Sequence, residues 1–171
     1  MAILEVLHFP DDRLRRKAAP VEKISADIKA IADNMLETMY AEGGIGLAAT
    51  QVNIQQRIVV IDLSEEKNEP LILINPEVTH AEGTETMREG CLSVPDYFDM
   101  VERAEFIEYK YQNLEGETII KETDGLLAVC IQHEIDHLNG KLFIDYLSPL
   151  KQKRLKKKID KQEKLQQQNV L

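Results

Sequence analysis

The chain has 171 residues, 43% of them hydrophobic and 30% charged, which is enough apolar material for one packed core and too little length for two full domains. That composition excludes a disordered chain, and a net charge of -9 argues against a general nucleic-acid binder. The charge is uneven: residues 151–171 hold eight basic and two acidic side chains, a local balance of +6, which leaves -15 for the first 150.

The opening stretch MAILEVLHFPDD lacks a basic segment followed by a long apolar one, so no secretory leader is expected. No apolar run reaches the length of a bilayer span. The chain therefore reads as cytoplasmic, without a membrane partner, and its two cysteines, Cys91 and Cys130, as reduced thiols. From Ser25 to Glu42 the pattern is helical: Ser25 is a fitting N-cap, Ile28, Ile31, Met35 and Met39 recur at spacings of three and four, and Gly43 and Gly44 end the run. Beyond Gly44–Gln51, the Ile- and Val-rich segments Arg57–Leu63 and Leu71–Asn75 predict strands. Short strands are expected near Glu77–His80 and Thr84–Arg88, and a hairpin from Ala104–Gln112 and Glu117–Glu122, turned at Leu114–Gly116.

A second helix is expected from Asp124 to Leu138, with Gly140 past its end. Its first half, Leu126–Ile131, is apolar on every side and predicts burial. A third helix opens at Ser148–Pro149 and carries the basic tail. The chain thus reads as an α+β single domain, with antiparallel strands packed around a buried central helix and further helices toward each end. Residues 1–147 would form the body and residues 148–171 the basic helical tail.

The strongest chemical signal is His133-Glu134-Ile135-Asp136-His137. Residues four apart share one helix face, so both imidazoles reach a single ion, and Glu134 stands beside them to accept a proton from a water on that ion. A solvated helix carries such letters by chance. Here they follow an apolar run, where two histidines and a glutamate buried without partners would be costly. A catalytic site of this kind usually has a third protein ligand. The continuation H-x-x-G-x-x-H is absent, and His8 and His80 stand in no motif. The remaining candidate is Cys91, in Glu89-Gly90-Cys91-Leu92-Ser93, whereas Cys130 falls in the apolar half of the helix and reads as a small core residue. Gly43-Gly44-Ile45-Gly46 is not a phosphate loop, because no Lys-Ser/Thr follows and a helix rather than a strand precedes it.

Three segments in order, Gly44-Ile45-Gly46-Leu47-Ala48-Ala49-Thr50-Gln51, Glu89-Gly90-Cys91-Leu92-Ser93 and Gln132-His133-Glu134-Ile135-Asp136-His137-Leu138, give the sequence a resemblance to the bacterial peptide deformylases. The resemblance spans essentially the whole chain. It implies removal of the formyl group from the N-terminal formylmethionine of new peptides, with Cys91, His133 and His137 as metal ligands and Glu134 as the base that becomes the acid. It further implies that the Gln51 side-chain amide and the Leu92 backbone N–H stabilise the oxyanion. Ile45, Gly46 and Gly90 would pair with an extended peptide, and Ile45, Leu126, Val129, Cys130 and the edge of His133 would line a methionine pocket. Ordinary core packing is the competing account of Leu126, Val129 and Cys130.

Ligand type alone favours zinc, whereas the resemblance implies ferrous iron (Fe2+), with Ni2+, Co2+ or Zn2+ as substitutes. The resemblance also implies that the basic C-terminal helix binds the ribosome near the peptide exit. A solvated helix that aids solubility is the plainer account of the same charges. A monomer is expected, with no sequence-specific nucleic-acid contact. One position departs from the pattern: Phe98 stands where many relatives carry Arg. Two other readings stay open at this level, a zinc endopeptidase favoured by H-E-x-x-H alone and an idle ribosome- or RNA-binding module favoured by the tail.

Overall fold

The computed structural model describes residues 2–169. In chain order these form α1 (Ala26–Ala41), β1 (Gly46–Ala48), β2 (Ile58–Ile61), β3 (Leu71–Glu82), β4 (Glu85–Cys91), β5 (Val94–Arg103), β6 (Phe106–Gln112), β7 (Thr118–Asp124), α2 (Gly125–Leu138) and α3 (Pro149–Asn169). Single 3-10 turns lie at Asp12–Arg15, Ala49–Val52 and Phe143–Tyr146. Five strands make one antiparallel sheet in the order β1-β2-β3-β6-β7, and β4 pairs with β5 as a separate hairpin.

The sequence of β2, Ile-Val-Val-Ile, is buried at all four positions because both sheet faces are covered there. Ile58 and Val60 join Ile28, Met35 and Met39 of α1 in one apolar cluster. Val59 and Ile61 face the other way and join Ala128, Ile131 and Leu138 of α2. The sheet is thus packed between the two helices, and α2 is the central helix. A third cluster joins Val94 and Val101 of the β4–β5 hairpin to Leu142, Phe143, Leu147 and Leu155. Leu155 belongs to α3, so the basic helix is fastened to the body by its apolar side. The last two residues of the chain, Val170 and Leu171, which the expected basic tail included, lie outside the described residues.

Several elements differ from their sequence-based boundaries for identifiable reasons. Leu71–Asn75 and Glu77–His80 are one strand, broken in register between Ile74 and Glu77. Pro76 has no N–H to give the ladder, and Asn75 adopts a left-handed φ of 51°. The Asn75 side chain compensates, donating to Val21 O and Gln112 Oε1 and accepting from Val21 N, each at 2.8 Å. β5 was not anticipated, because Pro95, Asp96 and Asp99 interrupt the apolar alternation that marks a strand. Ser25 sits at the N-cap of α1, but its side chain makes no capping hydrogen bond. Leu126, expected to be buried, is 47% exposed, because the first turn of α2 borders a cavity. The β6–β7 hairpin matches expectation, with its turn closed by Glu117 N–H donating to Asn113 Oδ1 at 3.0 Å.

The Tyr40 hydroxyl ties α1 to the end of β2 by donating to Asp62 Oδ2 at 2.5 Å. Burial, reinforced by that bond, raises the Tyr40 phenol from 10.0 to about 12. A phenol held protonated in the fold contributes stability below its unfolded value and loses it as pH rises through the folded one. Tyr40→Phe is expected to lower the melting temperature by about 3 °C at neutral pH, the effect of one hydrogen bond in a domain of this size. The gap between parent and variant should close as pH rises from 10.0 to about 12, measured by thermal melts across that range.

Candidate metal centre

His133 and His137 lie one turn apart on the buried half of α2. Their Nε2 atoms are 3.2 Å apart, and Cys91 Sγ, at the end of β4, is 3.2 Å from His137 Nε2. One donor atom from each of the three residues lies within 4.8 Å of the others. Ligands about 2.1–2.3 Å from a tetrahedral centre stand about 3.4–3.6 Å from one another, so the spacing fits one divalent ion with a position left open. The donor chemistry fits as well. Burial above all holds the His137 imidazole well below its ordinary range, leaving it neutral. Ser93 N–H donates to Cys91 Sγ at 3.4 Å.

Glu134 is 3% exposed on the same helix. Its Oε1 has no hydrogen-bond partner among the described residues and lies 3.9 Å from both His133 Nε2 and His137 Nε2. Burial, opposed by the charges of His133 and Arg103, pushes its carboxyl up to about 7. Gly46 on β1 makes this approach possible: a Cβ there would stand 2.7 Å from Glu134 Oε2.

The ligands are held by groups that sequence reading did not assign. His133 Nδ1 is 2.8 Å from Glu89 Oε1. Burial works against ionising Glu89, but hydrogen bonds from His133 and Arg103 outweigh it and hold the carboxyl below its usual range. An ionised carboxylate only accepts, so His133 Nδ1 carries a proton toward Glu89, and Nε2 is the nitrogen that would hold an ion. Arg103 in turn donates to Glu89 through Nε at 2.6 Å and Nη2 at 2.9 Å, and to Asp136 through Nη1 at 2.8 Å. The Tyr146 hydroxyl also donates to Asp136, at 2.7 Å. Glu89 stood in plain view two residues before Cys91, but Arg103 is separated from it by a strand pairing that no local spacing announces. At the far end of α2, the Thr50 hydroxyl donates to His137 O at 3.0 Å and Arg57 to Leu138 O at 3.2 Å, satisfying terminal helix carbonyls.

A cavity of about 630 Å³ opens above the centre. Ile45 and Gly46 line one wall, Gly90, Cys91 and Leu92 the other, and Leu126, Val129 and Cys130 the α2 side, with Gln51, His133 and Glu134 reaching in. Every residue singled out from the sequence except His137 therefore borders this one space, and His137 lies behind it. Cys130 is not a ligand candidate here: burial pushes its thiol up to about 12. Gln51 is anchored at both ends, its Oε1 accepting from Ala48 N at 2.9 Å and its Nε2 donating to Ser93 Oγ at 3.0 Å. Phe98 is 54% exposed at the rim, with the Arg88 guanidinium 4.9 Å from its ring centre. Its ring covers Gly90 so closely that a Cβ there would fall 2.4 Å from Phe98 Cε1.

The carboxylate that orients His133 yields a direct expectation. Glu89→Gln keeps the shape but removes the charge shared by His133 and Arg103, and should weaken metal retention or activity about 10–100-fold. Chelator competition against the parent measures it.

Comparison with known proteins matches this arrangement. The family model for polypeptide deformylase matches residues 3–153. A peptide deformylase of Pseudoalteromonas translucida is 58% identical over 164 residues, covering 96% of this chain and 98% of that protein. The crystal structure of a peptide deformylase from Legionella pneumophila superposes with a TM-score of 0.90 at 44% identity, covering 96% of this chain and 98% of that one. One from Ehrlichia chaffeensis in complex with actinonin gives a TM-score of 0.90 at 40% identity, covering 95% and 99%. With its fold, three ordered motifs and convergent Cys-His-His set, the chain belongs to the polypeptide deformylase family.

Proposed function

We propose that this chain is a metal-dependent deformylase, hydrolysing the formyl amide of N-terminal formylmethionine on new peptides and releasing formate. The observation that carries the reading is the buried Oε1 of Glu134, without a hydrogen-bond partner among the described residues and 3.9 Å from two imidazole nitrogens that converge with Cys91 Sγ. A divalent ion held by Cys91, His133 and His137 supplies Lewis acidity toward a water and a carbonyl. Ferrous iron is the resident ion in this reading, with zinc, nickel and cobalt accommodated by the same donors.

The chain's own groups do the rest. Glu134 takes the proton of the attacking water as the new C–O bond forms, then delivers it to the amine nitrogen as the C–N bond breaks. Burial that raises the Glu134 carboxyl above its ordinary range makes it a stronger base toward that water, as the first role needs. The Gln51 N–H that here donates to Cys91 Sγ, and the backbone N–H of Leu92, donate to the formyl oxygen as it gains charge. β1 is the edge of its sheet and β4 has one edge unpaired, so an extended peptide lying between them pairs with the backbone of Ile45, Gly46 and Gly90. Leu126, Val129 and Cys130 then receive the methionine side chain, the protonated thiol acting as apolar surface.

The basic helix docks on the ribosome in this reading, and the enzyme works as a cytoplasmic monomer. Among the described residues no helix is long and apolar enough to cross a membrane. On α3, Lys157, Lys158 and Lys161 are exposed while Leu155 packs inward, so charge can be offered to ribosomal RNA without disturbing the core.

Glu134→Gln should retain metal and lose about 10²–10⁴-fold in kcat, followed by formate release from a formyl-Met-Ala-Ser peptide. Parent-like turnover would overturn the mechanism, and so would activity in protein stripped of metal by a chelator. Reversing Lys157, Lys158 and Lys161 to Glu should weaken co-sedimentation with ribosomes at least about tenfold at 0.15 M salt, while turnover of the short peptide persists.

A further inference from the structure

We infer that Ser93 is a positioning residue for the reaction, fixing the Gln51 amide so that one N–H points at the formyl oxygen; this rests on the reading of Gln51 as an oxyanion donor. The terminal torsion of a glutamine is soft and roughly two-fold, so an unanchored amide presents its oxygen or its nitrogen to a site with little preference. Presenting the oxygen would oppose the developing negative charge. Two contacts prevent this. The Ala48 N–H donates to Gln51 Oε1 at 2.9 Å and decides which end of the amide faces inward. Ser93 Oγ accepts one N–H from Gln51 Nε2 at 3.0 Å and sets the tilt of the amide plane. A primary amide has two N–H groups; the second donates to Cys91 Sγ at 3.5 Å, a long bond to a weak acceptor at the wall of the cavity that Gln51 lines, and is the one that can turn to a substrate oxygen there.

Ser93 is suited to this task because it is itself immobilised. It is 0% exposed, and Gln51 is 1% exposed. Its carbonyl accepts from Phe9 N–H at 2.7 Å, and its own N–H donates to Cys91 Sγ at 3.4 Å. Its hydroxyl therefore joins the corner that carries a metal ligand to the turn that carries the amide. Donors aimed before the charge appears need no reorganisation when it does, which is why their orientation is worth rate rather than binding.

The test is a double-mutant cycle on the cobalt-loaded enzyme: parent, Ser93→Ala, Gln51→Leu and the double variant, assayed on formyl-Met-Ala-Ser. Ser93→Ala is expected to lower kcat about tenfold with KM changed less than about twofold, and to cost nothing further once Gln51 is Leu. In the metal-free protein labelled with 15N-glutamine, the Gln51 side-chain N–H signals should exchange with water at least about tenfold faster in Ser93→Ala. The thiolate-to-cobalt absorption should not move. Equal losses from Ser93→Ala in both backgrounds overturn the inference, as does a shifted thiolate band, which would mean that Ser93 acts through Cys91. A collapsed melting temperature would mark the serine as structural support and overturn it equally. If Gln51→Leu turns over like the parent, the assignment of Gln51 falls first, and that result is distinguishable from all of these.

Discussion

Glu89 carries a negative charge into an almost fully buried position, 6% exposed, and the reactive end of the molecule is arranged around it. An uncompensated carboxylate there would be untenable. It is tolerated because His133 and Arg103 meet it from two sides. Arg103 needs its own compensation and finds a second acid in Asp136, which Tyr146 also contacts. The result ties β4, β5, α2 and the turn after α2 by charge-assisted bonds that hold only in one geometry. That rigidity is what a metal centre with one open position requires of its surroundings.

The same organisation explains why the protein has two sheets rather than one. Cys91 comes from the separate β4–β5 hairpin, whereas the histidines come from a helix packed on the main sheet. Between them lie the unpaired edges of β1 and β4. An unpaired strand edge is ordinarily a liability. Here the two edges face one cavity, which in the proposed reading receives an extended peptide. Glycine at positions 46 and 90 belongs to this compromise, admitting the Glu134 carboxylate on one side and the Phe98 ring on the other.

Local features carried a great deal. The helical period of α1, the apolar run of α2, the β6–β7 turn and the spacing of His133, Glu134 and His137 were all legible, because each depends on residues a few positions apart. β5 was not, since Pro95, Asp96 and Asp99 break the alternation and its exposed middle packs little. The continuous course of β3 was hidden by Pro76 for a similar reason: a residue that usually ends a strand is accommodated by a bulge and by the Asn75 side chain. Leu126 looked like core because its neighbours are core, but apolar composition does not distinguish a surface facing a helix from one facing a cavity.

By itself the sequence determined the α+β class, the helix that bears the paired histidines, the third ligand as the candidate in Glu-Gly-Cys-Leu-Ser, and the separation of an acidic body from a basic terminal helix. These follow from composition, period and short spacing, and from an ordered set of motifs that one family shares. Tertiary structure alone decided that Glu89 orients His133, that Arg103 and Asp136 complete its compensation, and that Ser93 and Ala48 hold the two ends of the Gln51 amide. Those partners lie between 3 and 44 residues apart. A hydrogen bond requires two atoms within about 3 Å in the right orientation, and only the packed arrangement of sheet, hairpin and helix specifies that distance.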